Sequence, residues 1–280
     1  MHPNPSADTT KPCTPSFRCC TLSSAVAASS HGVYIISVTD RERARVPAAS
    51  PLNASVLLFD FGGTLDADGL PWARRFHTAY MEAGGALDFA AFEPVYQASD
   101  VALAALPEIR RLGFRAAIEA QVRCLLPLLP APDAARLARE PQRLVTAVHQ
   151  PAVHIVARNR PILERLQQDY RLGIISNFTG NLKPCLDELG LSPLFAVASD
   201  STVLGIEKPD PRIFHATLDA LGASPADAWM VGDNFEADIR GAANLGMQTC
   251  WLAPAERVAP DGPAPTARIR RLPDVERVLA

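Results

Sequence analysis

Lysine is scarce in this sequence, long apolar runs are missing, and the cysteines fall into no metal-binding pattern. Only Lys11, Lys183 and Lys208 are lysines among 280 residues, so the positive charge is mostly arginine. The net charge is −3, which leaves no basic excess to attract nucleic acid or anionic lipid. No apolar stretch approaches the ~20 residues of a membrane span. The six cysteines, at positions 13, 19, 20, 124, 185 and 250, are scattered through a chain too long to need a disulfide framework. A reducing, cytoplasmic setting is therefore expected. Residues 1–54 mix Pro, Ser, Thr and Ala around the short patch "GVYIISV", without the basic start and long apolar stretch of a secretory signal. Their composition reads as a disordered extension outside the fold.

From Ser55 onward, short apolar runs alternate with helical patterns, the signature of a parallel sheet covered by helices. The strand candidates are "SVLLFD" (55–60), "RLGIIS" (171–176), "LFAVAS" (194–199), "AWMVGD" (228–233) and "QTCWL" (248–252). None alternates in polarity, as expected where both faces are buried. "RPILERLQQD", "DPRIFHATLDALG" and "FEADIRGAANLG" carry helical spacing between them, and "ARIRRLPDVERVL" is expected to add an edge strand and a last helix. Residues 70–157 break the rhythm. They hold only helical patterns, with Pro71, Pro107 and Pro132 where proline starts helices readily. The expected fold is α/β: a Rossmann-like parallel sheet with helices on both faces, formed by 55–69 and 158–280, with 70–157 inserted as an all-helical lid. The insertion leaves the carboxyl edge of the sheet, where open α/β sheets place their ligands.

Polar residues close several of these apolar runs. Asp60 and Thr64 follow the first, Ser176 and Asn177 the second, and Asp233 the fourth, while Lys208 lies in "GIEKPDPRIF" at a helix entrance. In a parallel sheet these ends meet in one crevice. Two carboxylates, a lysine and two hydroxyls suit a phosphoryl group held beside a divalent cation. Taken singly, Asp60 reads as a helix cap, Thr64 as a turn residue and Asp238 as a first-turn acid. Their convergence is what favours a site.

Together, "VLLFDFGGTLDADG", "SN", "GIEKPDPRIF" and "VGDNFEADIRGAANLGM" resemble the four signatures of the haloacid dehalogenase superfamily, in the right order over Ser55 to Leu252. The resemblance implies a magnesium-dependent phosphatase acting on a small phosphorylated metabolite, with no nucleic-acid or membrane partner. Asp60 matches the nucleophile that becomes an aspartyl phosphate. Thr64 and Ser176 match phosphate-oxygen donors, and Lys208 the lysine that pairs with the nucleophile. Gly63 and Asn177 are expected at the substrate, Mg2+ on Asp60, the Gly62 carbonyl and Asp233, with Asp238 supporting that metal site. The insertion resembles the helical cap of the superfamily's first cap class; the 32 positions from Ser176 to Lys208 leave no room for the other type. Trp72 and Arg74, in "PWARRF", are candidates to hold a ring or a second anionic group.

One position departs from the pattern. The family's phosphatases carry a second aspartate two residues after the nucleophile, which moves a proton to the leaving group and then from water. Here that residue is Gly62, so the carbonyl for the metal survives and the acid does not. A positioned acid or base typically contributes ~10²–10⁴ in rate. The remaining possibilities are turnover restricted to leaving groups that need little protonation, substitution by Asp66, Asp68 or His77, or a scaffold that binds or senses a phosphorylated ligand. The phosphonate-cleaving branch needs a cap lysine, which this insertion lacks. The dehalogenase branch carries a bulkier residue here and needs no metal. Restoring the acid with Gly62→Asp is expected to raise turnover on alkyl phosphates more than on acyl phosphates.

Overall fold

The computed structural model describes residues 33–35 and 54–280, and the expectation of disorder for residues 1–54 therefore lies largely outside the described residues. Seven strands form one sheet: β1 (Tyr34–Ile35), β2 (Val56–Phe59), β3 (Arg171–Ser176), β4 (Val197–Asp200), β5 (Ala228–Gly232), β6 (Gln248–Leu252) and β7 (Ala267–Ile269). Their order is β1-β4-β3-β2-β5-β6-β7. The last six strands in that order run parallel; β1 lies antiparallel on β4, with Tyr34 opposite Ala198. Tyr34–Ile35, within the stretch set apart above, thus form an end strand of the described sheet, and Val33 is buried beside them.

The absence of alternation in β2 has a direct explanation. Leu57 and Phe59 point into one apolar layer, and Val56 and Leu58 into the other. All four are fully buried, each contributing roughly 1.5–3 kcal/mol of transfer free energy. Leu172 and Ile174 of β3, with Trp229 and Val231 of β5, extend the first layer. Ala228 and Met230 of β5 extend the second.

Strand order places the crevice. From β3 the chain builds outward to β4, and from β5 it builds the other way to β6 and β7, so β2 stands at the switch point. The carboxyl ends of β3, β2 and β5 open side by side there.

The insertion consists of α1 (Trp72–Glu82), α2 (Phe89–Ala104), α3 (Phe114–Leu125), α4 (Ala131–Leu137) and the first part of α5 (Pro141–Asp169). All of them lie in the stretch expected to be helical; α2 fills the interval before Pro107, and residues 107–129 divide at Gly113 into a short 3-10 turn and α3. Finally, α5 runs 29 residues through Pro151 and Pro161, about 43 Å, so the boundary drawn at 157/158 falls inside one helix. Its early residues Leu144, Val145 and Val148 pack in the insertion, its later Ile162, Leu163 and Leu166 beside the sheet, and one apolar cluster spans both. Beyond β3 come α6 (Leu182–Glu188), α7 (Pro211–Leu221) and α8 (Val275–Leu279). Helix α7 ends on left-handed Gly222, as its sequence pattern predicts. Among the described residues, no helix is long and apolar enough to cross a membrane.

Candidate active site

Asp60 extends β2 by one residue: its N–H donates to Val231 O at 2.9 Å, which holds the Cα at the sheet edge. Its carboxylate turns into the crevice. There Asp60 Oδ1 accepts from Lys208 Nζ at 2.7 Å and from Ser176 Oγ at 3.0 Å. Lys208, almost wholly buried, also donates to Ile175 O at 2.8 Å and Asp238 Oδ1 at 2.5 Å. Burial opposes the lysine's charge, but Asp238 and Asp60 outweigh it and push its pKa up to about 12. One of the few lysines in the sequence is thus the hub of the site.

Oxygens of Asp60, Asp233 and Asp238 lie within 4.8 Å of one another. Burial, then Asp60 and Asp238, push Asp233 well above the usual carboxylate range. Burial and Asp60 likewise push Asp238 up to about 6, against the pull of Lys208. Three buried carboxylates against one lysine leave negative charge without a partner, the electrostatic condition a divalent cation relieves. The hydrogen bonds show which oxygens are available. Asp238 uses both of its own, Oδ1 on Lys208 and Oδ2 on the Asn234 N–H at 2.9 Å. Asp60 and Asp233 each keep Oδ2 without a partner among the described residues. Asp60 and Asp233 therefore keep oxygens free for a hard cation, with Gly62 lining the same cavity, whereas both Asp238 oxygens are committed to Lys208 and the following loop.

Other expected residues serve the scaffold more than the crevice. Thr64 is fully buried and donates to Asp233 Oδ1 at 3.2 Å, orienting that carboxylate. Gly63 has φ of +99°, and a Cβ there would lie 2.7 Å from both Asp233 oxygens, so only glycine fits. Its N–H is taken by Asp66 Oδ1 at 2.7 Å. The Asn177 amide brackets the Lys208 backbone, donating to its carbonyl at 2.9 Å and accepting from its N–H at 2.8 Å. The Asn234 side chain caps the π-helical turn Phe235–Arg240. Arg74 is placed away from the cavity, its guanidinium 3.3 Å above the Phe89 ring, which corrects its assignment to the substrate.

The three stand-ins for the missing acid are all engaged elsewhere. Asp66, fully buried, pairs with Arg75 at 2.6 Å. Asp68 is gripped by both terminal nitrogens of Arg158, at 2.6 and 2.8 Å. His77 bonds Leu87 O at 3.0 Å and packs among Tyr80, Phe89 and Phe92. Gly62 itself faces Trp72: a Cβ at 62 would meet the indole Nε1 at 2.6 Å. An acid placed at 62 would therefore compete with the indole for the same space.

A cavity of about 300 Å³ joins these groups to the insertion. Trp72, Phe76, Tyr96, Phe114 and Ile118 form its apolar wall, and Gln121 and Arg257 add polar groups. Gln121 is buried, with its Nε2 on Ser99 Oγ at 2.8 Å and its Oε1 unpartnered. Arg257 stands over the Trp251 ring and donates to Asp233 O at 3.3 Å. Neither stood out in the sequence: a glutamine in an amphipathic helix and an arginine in a loop give no local signal. Asp200 was equally silent. Ending β4, it accepts from the Gly180, Leu182 and Thr202 N–H groups and so shapes the loop after Ser176.

Fold and site together define a hydrolase-type α/β protein with an acidic, lysine-bearing centre at the switch point of a parallel sheet. Residues 54–246 match the haloacid dehalogenase-like hydrolase family, and the chain belongs to it. It is 34% identical over 120 residues to the pyrimidine 5'-nucleotidase YjjG of Escherichia coli, covering 42% of this chain and 53% of that one. It is 33% identical over 115 residues to the phosphoserine phosphatase of Thermus thermophilus, covering 41% and 46%. Against these two curated relatives the match spans about half of their length. Among solved structures, a dehalogenase with an intermediate complex superposes with a TM-score of 0.55 at 20% identity, over 84% of this chain and 99% of that one, a likeness of fold alone.

Proposed function

We propose that this protein is a magnesium-dependent phosphatase of small phosphorylated metabolites, with Asp60 as the nucleophile. The observation that carries the reading is the convergence on Asp60: Lys208 at 2.7 Å, Ser176 at 3.0 Å and two further carboxylates within 4.8 Å. The names of the two enzyme relatives, a nucleotidase and a phosphoserine phosphatase, point to the same class of bond. Magnesium, held by Asp60, Asp233 and the Gly62 carbonyl, would supply charge neutralisation at the phosphoryl group. The chain's own groups do the rest. Lys208 and Ser176 hold the Asp60 carboxylate for attack on phosphorus, and Asp238 holds Lys208 in place. The main chain of Gly62 makes no hydrogen bond among the described residues, which leaves its N–H for a phosphoryl oxygen.

The engagement of Asp66, Asp68 and His77 favours a second reading, in which a phosphorylated ligand is held or the aspartyl phosphate persists. Acetyl phosphate separates the two. Release of many equivalents of phosphate per protein with magnesium supports the enzyme, while one equivalent, or none with tight binding, supports the holder. Asp60→Asn should bring release to background, a loss on the order of 10³-fold or more. Undiminished release by that variant would remove Asp60 from the chemistry.

A further inference from the structure

The space beside Gly62 is filled by a polar edge. Of the Trp72 ring, Nε1 stands nearest the position of a residue-62 Cβ, at 2.6 Å, with Cδ1 at 3.1 Å. The indole N–H has no acceptor among the described residues, and Trp72 lines the cavity together with Asp60 and Gly62. The ring is held firmly. Arg75 lies 4.0 Å over its face, and Phe76 and Phe114 flank it at 6.0 and 5.8 Å. Arg75 is in turn fixed by Asp66, whose other oxygen holds the Gly63 N–H. A continuous chain of contacts, Gly63–Asp66–Arg75–Trp72, thereby ties the indole to the loop that carries the nucleophile. Removing either partner of a buried ion pair of this kind leaves an uncompensated buried charge, so Arg75 and Asp66 hold each other in place.

We propose that Trp72 is a catalytic residue that takes the place of the missing acid, its indole N–H hydrogen-bonding the leaving-group oxygen as the phosphorus–oxygen bond breaks. This deepens the phosphatase reading and rests on it. In the first step Asp60 forms a bond to phosphorus, and the leaving oxygen departs with the bonding pair. The indole keeps its proton, so that oxygen leaves as an anion stabilised by a hydrogen bond and takes a proton from solvent afterwards. In the second step water attacks the aspartyl phosphate. The Asp60–phosphorus bond breaks, the carboxylate recovers its electron pair, and the proton of the water passes to the phosphate released. An indole donates a hydrogen bond but not a proton, so the site is built for weakly basic leaving oxygens: acyl, enol and aryl phosphates.

Trp72→Phe keeps the ring and removes the N–H. Across a series of aryl phosphates of falling leaving-group acidity, assayed with magnesium, its loss should grow from a few-fold to ~10²-fold, the scale of one preorganised donor. In the wild type, the indole resonance that disappears in Trp72→Phe should move downfield when orthovanadate is added with magnesium. A loss of equal size across the series, or an indole resonance that stays put while vanadate inhibits, overturns the assignment of Trp72 and leaves the phosphatase standing. No phosphate release by the wild type from any member, with no vanadate binding, brings down the phosphatase reading itself and this proposal with it.

Discussion

The two halves of the cavity are built on opposite principles. On the sheet side, Asp60, Asp233, Asp238 and Lys208 are ionisable, buried and bonded to one another at 2.5 to 2.7 Å or held within 4.8 Å. On the side of the insertion, Trp72, Phe76, Tyr96 and Phe114 form an aromatic wall whose polar groups, the Trp72 N–H and Gln121 Oε1, lack partners among the described residues. The first half has carboxylate oxygens to spare, Oδ2 of Asp60 and of Asp233, so it suits a cation. The second is satisfied except for hydrogen bonds, so it asks for the body of a substrate. Phe61, between Asp60 and Gly62, joins the halves, with Phe114 at 6.0 Å and Phe178 at 5.5 Å from its ring. Burying both halves makes their requirements strict, because unpaired charge and unpaired polar atoms each cost more away from water.

The sharpest way to break the sheet side is to remove its buried lysine. Lys208→Met leaves Asp60 and Asp238 buried without their partner and should cost roughly 3–5 kcal/mol of stability, together with nearly all turnover. Denaturant unfolding reads the first and phosphate release the second. A variant as stable as the wild type would mean that the three carboxylates do not share the lysine's charge.

A cation binding only the folded state should raise stability by ~2.7 kcal/mol at a hundred times its dissociation constant. Thermal unfolding with and without magnesium checks this. Asp233→Asn should abolish most of the magnesium effect, whereas Asp238→Asn should retain more of it, because both Asp238 oxygens are committed to Lys208 and Asn234. Equal loss in the two variants would put Asp238 among the direct ligands.

The same contrast governs what the amino-acid sequence discloses. Asp60 and Asp233 are legible because a parallel strand buried on both faces leaves an unbroken apolar run, and a carboxylate closing it stands out. The sheet's switch point then follows from the order of the elements. What escapes notice are pairings across the chain. Thr64 reads as a turn residue or phosphate donor, yet its partner is Asp233, 169 positions away. Asp66 and Arg75 look like solvated charges, yet both are buried and paired. Helix α2 buries Phe92, Tyr96, Ser99 and Leu103 on one face, but Ser99 sits in that stripe and Val101 lies 72% exposed, which blurs the apolar contrast. Pro151 and Pro161 suggest interruptions in α5, where packing against both the insertion and the sheet keeps the helix continuous. Tyr34–Ile35 becomes a strand through β4, whose sequence lies far along the chain.

Gly62→Asp probes the seam between the halves. Its Cβ would fall 2.6 Å from an indole clamped by Arg75 and Phe114, an overpacking that should cost ~1–3 kcal/mol and lower turnover. Combining it with Trp72→Ala opens the space. The double variant should be more stable than the sum of its single losses, with a coupling of ~0.5–3 kcal/mol in a double-mutant cycle. Its pH–rate profile should also gain a limb from the new carboxyl group, which neither the wild type nor Trp72→Ala shows. Strict additivity would mean that residue 62 and the indole do not compete for one volume.

The smallest effect belongs to Gln121, and it tests whether the aromatic half recognises anything. Ser99 Oγ donates to Tyr96 O at 2.7 Å, so it can receive only the Gln121 NH₂, and the glutamine's orientation is fixed with Oε1 as a free acceptor. In a helix this well packed, an acceptor without a donor costs stability unless a ligand supplies one. Gln121→Leu, close in volume and without the acceptor, should leave thermal stability unchanged or slightly raised. It should also raise KM about fivefold, the scale of one hydrogen bond of ~1 kcal/mol, for substrates whose leaving group carries an N–H or O–H, and leave kcat alone. Methyl-blocked analogues of the same substrates should show no difference between variant and wild type. If KM is unmoved for both sets while stability falls, Oε1 serves the packing of the insertion, and the aromatic half selects its ligands by shape alone.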